Sequence, residues 1–138
     1  MNTVFVDTAA LIALGNKQDA FHHIAWEVQK ELVKNQSHFM TSDFVIAEFC
    51  NAFSRIKFRA TAVQMINSIY KSKAWAVVPI NEILMTKSLD LFTQMEDKEW
   101  GLVDCSSIIL ARKNQITTVF TADKHFEQAG FEILLKQH

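Results

Sequence analysis

The stretch that decides the fold is Thr3-Val4-Phe5-Val6-Asp7-Thr8-Ala9-Ala10-Leu11-Ile12-Ala13-Leu14. Its first four residues are β-branched or aromatic, which is typical of a short buried strand. The residues from Ala9 onward are mostly alanine and leucine, which favour a helix. A single acid, Asp7, lies where the strand ends and the helix begins. This order indicates an α/β protein with Asp7 at the carboxyl end of a strand.

The rest of the chain repeats this alternation of strands and helices. Apolar residues at helical spacing predict five further helices, over Ala20–Lys34, Asp43–Arg55, Thr61–Lys71, Glu82–Met95 and Val103–Arg112. Short apolar runs predict strands at His38–Thr41, Ala74–Val78, Thr117–Phe120 and Phe131–Leu135, and Asp123 is expected to cap a short helix. Such alternation indicates a mostly parallel sheet with helices on both faces, joined by right-handed crossovers.

The periodicity also predicts which helical residues face inward. In the Thr61–Lys71 helix they are Val63, Ile66 and either Ile69 or Tyr70. In the Glu82–Met95 helix they are Ile83, Leu84, Leu89, Leu91, Phe92 and Met95.

Composition indicates one folded domain over residues 1–138. The chain is 49% hydrophobic and 21% charged, which excludes a disordered protein, and its three glycines and one proline leave no room for a flexible linker. The net charge of -1 means that nucleic-acid affinity must come from a local patch. One candidate patch is Arg55, Lys57 and Arg59 around Phe58, which could contact RNA phosphates and stack a base. The alternative is a solvated helix end.

The sequence has few features that indicate where in the cell the protein is located. Cys50 and Cys105 are far apart in apolar surroundings, and we expect both to be reduced and buried. The amino terminus lacks the basic and apolar regions of a signal peptide, and no apolar run approaches the ~20 residues that span a membrane. We therefore expect a cytoplasmic protein without membrane association.

Trp26, Trp75 and Trp100 are expected to be core or interface anchors.

Acidic residues supply the candidate site. Asp7 and Asp123 each follow a strand and precede a helix, although either could simply cap its helix. Glu48 lies in the most apolar helical stretch, where a buried unpaired charge would be costly; the alternative is a place on the narrow polar side of that helix. Asp104 opens a helix, where an acid also interacts favourably with the helix dipole.

Taken together, these acids predict a site for a hard divalent cation. Mg²⁺ and Mn²⁺ prefer carboxylate oxygens, and clustered carboxylates repel one another without a cation. One or two such ions can activate water for hydrolysis of a phosphodiester. Thr8 and Thr121 could place hydroxyls beside the acids, or could make only ordinary strand-end hydrogen bonds. The histidines lack HExxH spacing and are assigned no ligand role, and the chain has no GxSxG elbow and no glycine-rich phosphate loop.

Four segments, in this order, resemble the successive motifs of PIN domains, especially toxin nucleases of the VapC type. They are Val4-Phe5-Val6-Asp7-Thr8-Ala9-Ala10-Leu11-Ile12-Ala13-Leu14, Ala47-Glu48-Phe49 with Asn51-Ala52, Leu102-Val103-Asp104-Cys105-Ser106, and Phe120-Thr121-Ala122-Asp123-Lys124-His125-Phe126. The resemblance implies a three-layer α/β/α sandwich with a central, mostly parallel sheet. It also implies an Mg²⁺- or Mn²⁺-dependent endoribonuclease, with Asp7, Glu48, Asp104 and Asp123 as catalytic and metal-binding residues. A homodimer and a small cognate antitoxin are the implied protein partners, and RNA is the implied substrate.

Two departures from the family pattern affect the site. Asp123 is the only acid in its segment, where some relatives have a further one, so the number of ions stays open. Ala9 occupies a position where serine is common. The alternatives to a ribonuclease are a metal-free PIN scaffold or a receiver-like module that binds a protein, and a nuclease or phosphatase acting on DNA. A receiver would need a paired acid after the first strand, which the chain lacks.

Overall fold

The computed structural model describes residues 2–136, in which a five-stranded sheet is flanked by helices. The elements are β1 (Thr3–Val6), α1 (Thr8–Gly15), α2 (His22–Lys34), β2 (His38–Ser42), α3 (Asp43–Ala52), α4 (Ile56–Lys71), β3 (Trp75–Val78), α5 (Glu82–Gln94), α6 (Leu102–Lys113), β4 (Thr118–Phe120), α7 (Lys124–Gln128) and β5 (Glu132–Ile133). The predicted domain 1–138 includes Met1, Gln137 and His138, which lie outside the described residues. Among residues 2–136, no helix has the length and hydrophobicity needed to cross a membrane.

The sheet has the order β3-β2-β1-β4-β5, and every neighbouring pair is parallel. Phe5 of the central strand lies opposite Met40 of β2 on one side and Val119 of β4 on the other. Because the strands are parallel, all their carboxyl ends lie at one edge. The predicted α/β/α fold with a parallel sheet is confirmed, and the end of β1 lies beside the end of β4.

The core surrounds the two middle strands. Val4, Phe5 and Val6 of β1 and Val119 and Phe120 of β4 are fully or almost fully buried. This explains their continuous apolar sequence, because strands covered by helices on both faces show no polar alternation. Burying a side chain of this kind stabilises the fold by about 1.5–3 kcal/mol, as an upper estimate.

The third and fourth helices have boundaries that differ from the prediction. α3 ends at Ala52 rather than Arg55, and α4 begins at Ile56 rather than Thr61. The Phe58 ring packs on the Phe53 ring with centroids 4.9 Å apart, so the first turn of α4 has an apolar anchor that the helical period alone did not reveal.

Several residues predicted to face inward are exposed. In α4, Ile69 is buried, whereas Val63 and Tyr70 are 58% and 59% exposed. In α5 the buried stripe is Leu84, Ser88 and Leu91, and the outward residues are Ile83, Leu89 and Phe92. The prediction was wrong for these outward residues because α5 has a packing partner on one side, mainly α6, and only the stripe at positions 84, 88 and 91 faces inward.

The cysteines and tryptophans also divide between core and surface. Both cysteines are free thiols; Cys105 is buried as predicted, but Cys50 is exposed because it lies on the outer side of α3. Trp100 is buried, and the Trp75 ring stacks on Phe39 at 4.8 Å. Trp26 is 44% exposed, yet its indole N–H donates to the Leu14 carbonyl 3.1 Å away and so fastens α2 to the end of α1.

We predict that Gly15→Ala destabilises the protein by about 1–3 kcal/mol, the usual range for overpacking. An added Cβ would lie 2.7 Å from the Phe53 ring and 2.9 Å from Met65 Sδ. The Phe53 ring cannot easily move, because it packs between Phe49 and Phe58. Urea unfolding measures the change. Gly101→Ala is the control, since its Cβ would meet nothing nearer than 3.9 Å, and an equal loss in both variants would contradict the packing argument.

Candidate metal centre at the carboxyl edge of the sheet

Asp7 lies at the junction of β1 and α1, with its side chain turned into the protein. Its backbone N–H donates to the Phe120 carbonyl at 3.2 Å, which continues the pairing of β1 with β4. The side chain is only 3% exposed. The Thr121 hydroxyl donates to Asp7 Oδ2 at 2.8 Å, whereas Oδ1 is buried with no hydrogen-bond partner among the described residues. One carboxylate oxygen therefore lacks the compensation that burial normally requires.

Thr121 and Asp123 form the neighbouring turn after β4. The Thr121 hydroxyl accepts a hydrogen bond from the Asp123 N–H at 3.0 Å while it donates to Asp7. Asp123 Oδ1 accepts from the His125 N–H at 2.9 Å and so caps α7. The capping role considered for Asp123 is thus real, and it fixes the carboxylate in place.

Asp104 reaches the same turn from the start of α6. Its Oδ2 accepts from the Gly101 N–H at 3.1 Å, so it also stabilises the amino end of its helix. The His125 Nδ1 lies 3.1 Å from Asp104 Oδ2 and 3.2 Å from Asp123 Oδ1. Ligand atoms of Asp104, Asp123 and His125 all lie within 4.8 Å of one another, which makes these residues a candidate metal-binding group.

Burial and mutual repulsion govern the electrostatics of these acids. Burial, with smaller contributions from the charges of Asp104 and Asp123, raises the pKa of Asp7 to about 7, against the lowering effect of the hydrogen bonds from Thr121 and Thr8. Burial also raises the pKa of Asp104, with a contribution from the charge of Asp123. These carboxylates therefore lie close enough to destabilise one another's charged form, a penalty that a divalent cation removes.

Glu48 occupies a different position from the other acids. It lies on the exposed side of α3, and its Oε1 accepts a hydrogen bond of 2.5 Å from the Thr8 hydroxyl. Its place on the polar side of the helix is the correct interpretation, and the argument from a buried unpaired charge was wrong. Thr8 follows Asp7 directly, so the structure connects Glu48 to the site through this threonine. The predicted threonine hydroxyls do contact the acids in both cases.

His125 is the residue that sequence reasoning missed. Its only sequence signal is its place two residues after Asp123, in the first turn of α7.

The structure supports only part of the interpretation of the candidate RNA patch. Arg55, Lys57 and Arg59 are exposed, but the Phe58 ring is half-buried against Phe53 and lies under Lys57 Nζ, 5.0 Å from its centroid. Phe58 is thus a packing residue and not a free platform for a base.

Comparison with known proteins identifies the family of this chain. The family model for the PIN domain matches residues 4–132. The chain belongs to the PIN-domain family. The match includes all the acids described above and at least part of every strand, so the family predicted from the sequence motifs is confirmed.

Individual PIN-domain relatives extend over nearly the whole chain. The sequence is 29% identical over 131 residues to a Mycobacterium tuberculosis protein named 23S rRNA-specific endonuclease VapC20, with 93% of this chain and 95% of the relative covered. The crystal structure of M. tuberculosis VapC20, described as a Sarcin-Ricin loop cleaving toxin, has the same coverage and a TM-score of 0.81.

More distant solved structures share the fold alone. VapBC2 from Rickettsia felis, bound to a DNA fragment from their promoter, has a TM-score of 0.70 at 16% identity. FitAcB from Neisseria gonorrhoeae has a TM-score of 0.66 at 15% identity. Each covers 95% of this chain and 96% of the other.

The PIN-domain residues present here suit a divalent cation. PIN nucleases generally depend on divalent metals, and the chain has an acidic cluster at the expected edge of its sheet. A cation would compensate two features: the Oδ1 of Asp7, which has no hydrogen-bond partner in the described part of the chain, and the repulsion among the carboxylates. The donor set, mainly carboxylate oxygen, is the one that hard cations prefer.

We predict that Asp7→Asn stabilises the metal-free protein at neutral pH by an amount on the order of a few kcal/mol. Because the pKa of Asp7 is raised to about 7, the folded state holds a proton that the unfolded state has lost above about pH 4, so stability falls between these values. Asparagine can still accept from Thr121 and has no charge to bury. Thermal unfolding with chelator between pH 4 and 8 measures the effect.

The matched control is Asp90→Asn, an exposed acid of α5. It should leave the pH profile unchanged, whereas Asp7→Asn should flatten it. A profile for Asp7→Asn that keeps the wild-type slope between pH 4 and 7 would contradict the assignment of this titration to Asp7.

Proposed function

We propose that this PIN-domain protein is a metal-dependent endoribonuclease and the toxin of a VapBC-type toxin–antitoxin pair. The observation that carries the proposal is the buried carboxylate of Asp7 beside Asp104 and Asp123, with one oxygen that has no hydrogen-bond partner within residues 2–136. The likeness of the whole chain to a protein named as an rRNA endonuclease supports the choice of RNA as substrate.

Asp7, Glu48, Asp104 and Asp123 are the proposed catalytic and metal-binding acids, and Mg²⁺ or Mn²⁺ is the proposed cation. When bound, a divalent cation supplies Lewis acidity, which makes water a better nucleophile and neutralises charge that develops on the phosphate. The chain's own residues arrange the site around it. Thr121 orients the carboxylate of Asp7 and the backbone of Asp123 with one hydroxyl. Thr8 donates a hydrogen bond to Glu48, which lies on the exposed side of α3.

The substrate class we infer is structured RNA, by analogy with the rRNA named for the mycobacterial relative. The phosphates of RNA bind to positively charged side chains. Arg55 and Lys57 are exposed and lie at the start of α4. The amino end of α4 packs on the residue that follows α3, through the rings of Phe58 and Phe53, and α3 carries Glu48. The rim of the site is thus proposed to bind backbone phosphates.

A small antitoxin and a second copy of the chain are the proposed protein partners. Two helices carry large hydrophobic side chains that are exposed to solvent and that a protein partner could cover. They are Val63 and Tyr70 on α4 and Leu89 and Phe92 on α5. We further propose that residues 1–138 form a single domain, since one hydrophobic core includes side chains from most of the elements. The proposed location is the cytoplasm.

We predict that Asp104→Asn and Asp123→Asn each lower the rate of RNA cleavage by about 100-fold or more, because each removes a charged ligand oxygen from the cation site. Asparagine keeps the capping contacts, so circular dichroism and the unfolding temperature should change little. The Asp90→Asn variant should cleave at the wild-type rate. Metal-dependent cleavage that survives both substitutions would refute the site.

We also predict that Arg55→Ala combined with Lys57→Ala weakens RNA binding and makes it less dependent on salt. Each lost phosphate contact should reduce the slope of log affinity against log salt by about 0.7–0.9, so the pair should reduce it by about 1.5. Fluorescence anisotropy with a labelled RNA measures this slope in the presence of Ca²⁺, used as a probe ion intended to limit cleavage.

The control for that experiment is Lys34→Ala combined with Lys113→Ala. These exposed lysines end α2 and α6, which lead into β2 and β4, so they lie at the opposite edge of the sheet. The two lysine substitutions remove the same net charge as Arg55→Ala combined with Lys57→Ala. If both pairs reduce the slope equally, the effect is one of net charge and the patch at α4 has no specific role.

A further inference from the structure

His125 is held with its ring between two proposed metal ligands. Its backbone N–H is bound to Asp123 Oδ1, and its Nδ1 faces both Asp104 Oδ2 and the same Asp123 oxygen. The ring is half-buried. Its backbone lies in the first turn of α7, whose cap is Asp123, so the position of the imidazole is coupled directly to that of the carboxylate.

The spacing of these atoms is that of neighbouring ligands on one ion. In an octahedral site with ligands at about 2.1 Å, adjacent ligand atoms are about 3.0 Å apart. The Nδ1 of His125 lies 3.1 Å from one carboxylate oxygen and 3.2 Å from the other. Because the ligand atoms of Asp104, Asp123 and His125 also lie within 4.8 Å of one another, one cation could contact all three residues.

An independent feature indicates that a cation belongs beside this group. The buried Oδ1 of Asp7 has no partner among the described residues, and the charge of Asp7 interacts with both Asp104 and Asp123. Asp7 and His125 thus lie in different segments, the first at the junction of β1 and α1 and the second in α7. The first contributes oxygen and the second contributes nitrogen.

We propose that His125 Nδ1 is a direct ligand of the divalent cation, together with Asp104 Oδ2 and Asp123 Oδ1, and that this nitrogen makes the site select Mn²⁺ over Mg²⁺. The inference rests on the proposed metal-dependent function and specifies its cofactor. Mg²⁺ strongly prefers oxygen ligands and water, whereas first-row transition-metal ions accept imidazole readily. A site built only from the four acids would lack this source of selectivity.

The first test is spectroscopic and uses the intact wild-type chain loaded with Mn²⁺. Pulsed electron paramagnetic resonance detects coupling between Mn²⁺ and a directly bound nitrogen. We expect a ¹⁴N coupling in the protein, and its replacement by a ¹⁵N coupling when the histidines alone carry ¹⁵N. The labelled protein has an unchanged sequence, so this measurement does not depend on the folding of a variant.

The second test assigns the nitrogen to His125. Calorimetry gives the Kd for Mn²⁺ and for Mg²⁺ in wild type, His125→Ala and His23→Ala, the last being an exposed histidine of α2. His125→Ala should lose the nitrogen coupling and weaken Mn²⁺ binding by about tenfold, with a change of less than about threefold for Mg²⁺. His23→Ala should match wild type in both respects.

The outcomes separate this inference from the function on which it rests. Mn²⁺ binding without nitrogen coupling, or an equal loss of Mn²⁺ and Mg²⁺ affinity in His125→Ala, overturns the role of His125 and leaves the acidic metal site intact. Failure of wild type to bind either ion at millimolar concentration overturns the metal site itself, and the role of His125 with it.

Discussion

The parallel pairing of β1 with β4 is the constraint on which both the core and the candidate site depend. These strands are distant in sequence, yet their pairing puts Asp7 beside Thr121 and fixes the hydrogen bond between their side chains. The apolar residues of these two strands are also fully or almost fully buried. The site is therefore an extension of the buried centre of the sheet, and the hydrogen bond from the Asp7 backbone to Phe120 fixes the position of Asp7 relative to β4.

The burial of Asp7 has an energetic cost for the metal-free protein. A carboxylate buried with a single side-chain hydrogen bond destabilises the folded state at neutral pH, and two further acids nearby increase that effect. Proteins tolerate such an arrangement where function needs it, since perturbed acids concentrate at functional sites. The hydrogen bonds that Asp7 accepts from the Thr121 hydroxyl and from the Thr8 backbone limit this cost.

The sequence predicted the parts of the fold that local pattern determines. The strand before Asp7, the cap at Asp123 and the family motifs were all readable, because each depends on residues adjacent in the chain. The outward positions of Leu89 and Phe92 were not, since periodicity identifies an apolar stripe but not how wide a face the neighbouring helices cover. His125 escaped notice for the same reason: its approach to Asp104 requires α6 and α7 to meet, which is a tertiary contact.

The edges of the sheet have a consequence for how the molecule can associate with itself. β5 has two residues and β3 has four, with Pro79 directly after β3, so neither border offers a long row of free backbone groups. Short borders of this kind protect against the edge-to-edge pairing that leads to aggregation. Self-association is consequently directed to helical surfaces, where side chains and not backbone groups determine which partner is accepted.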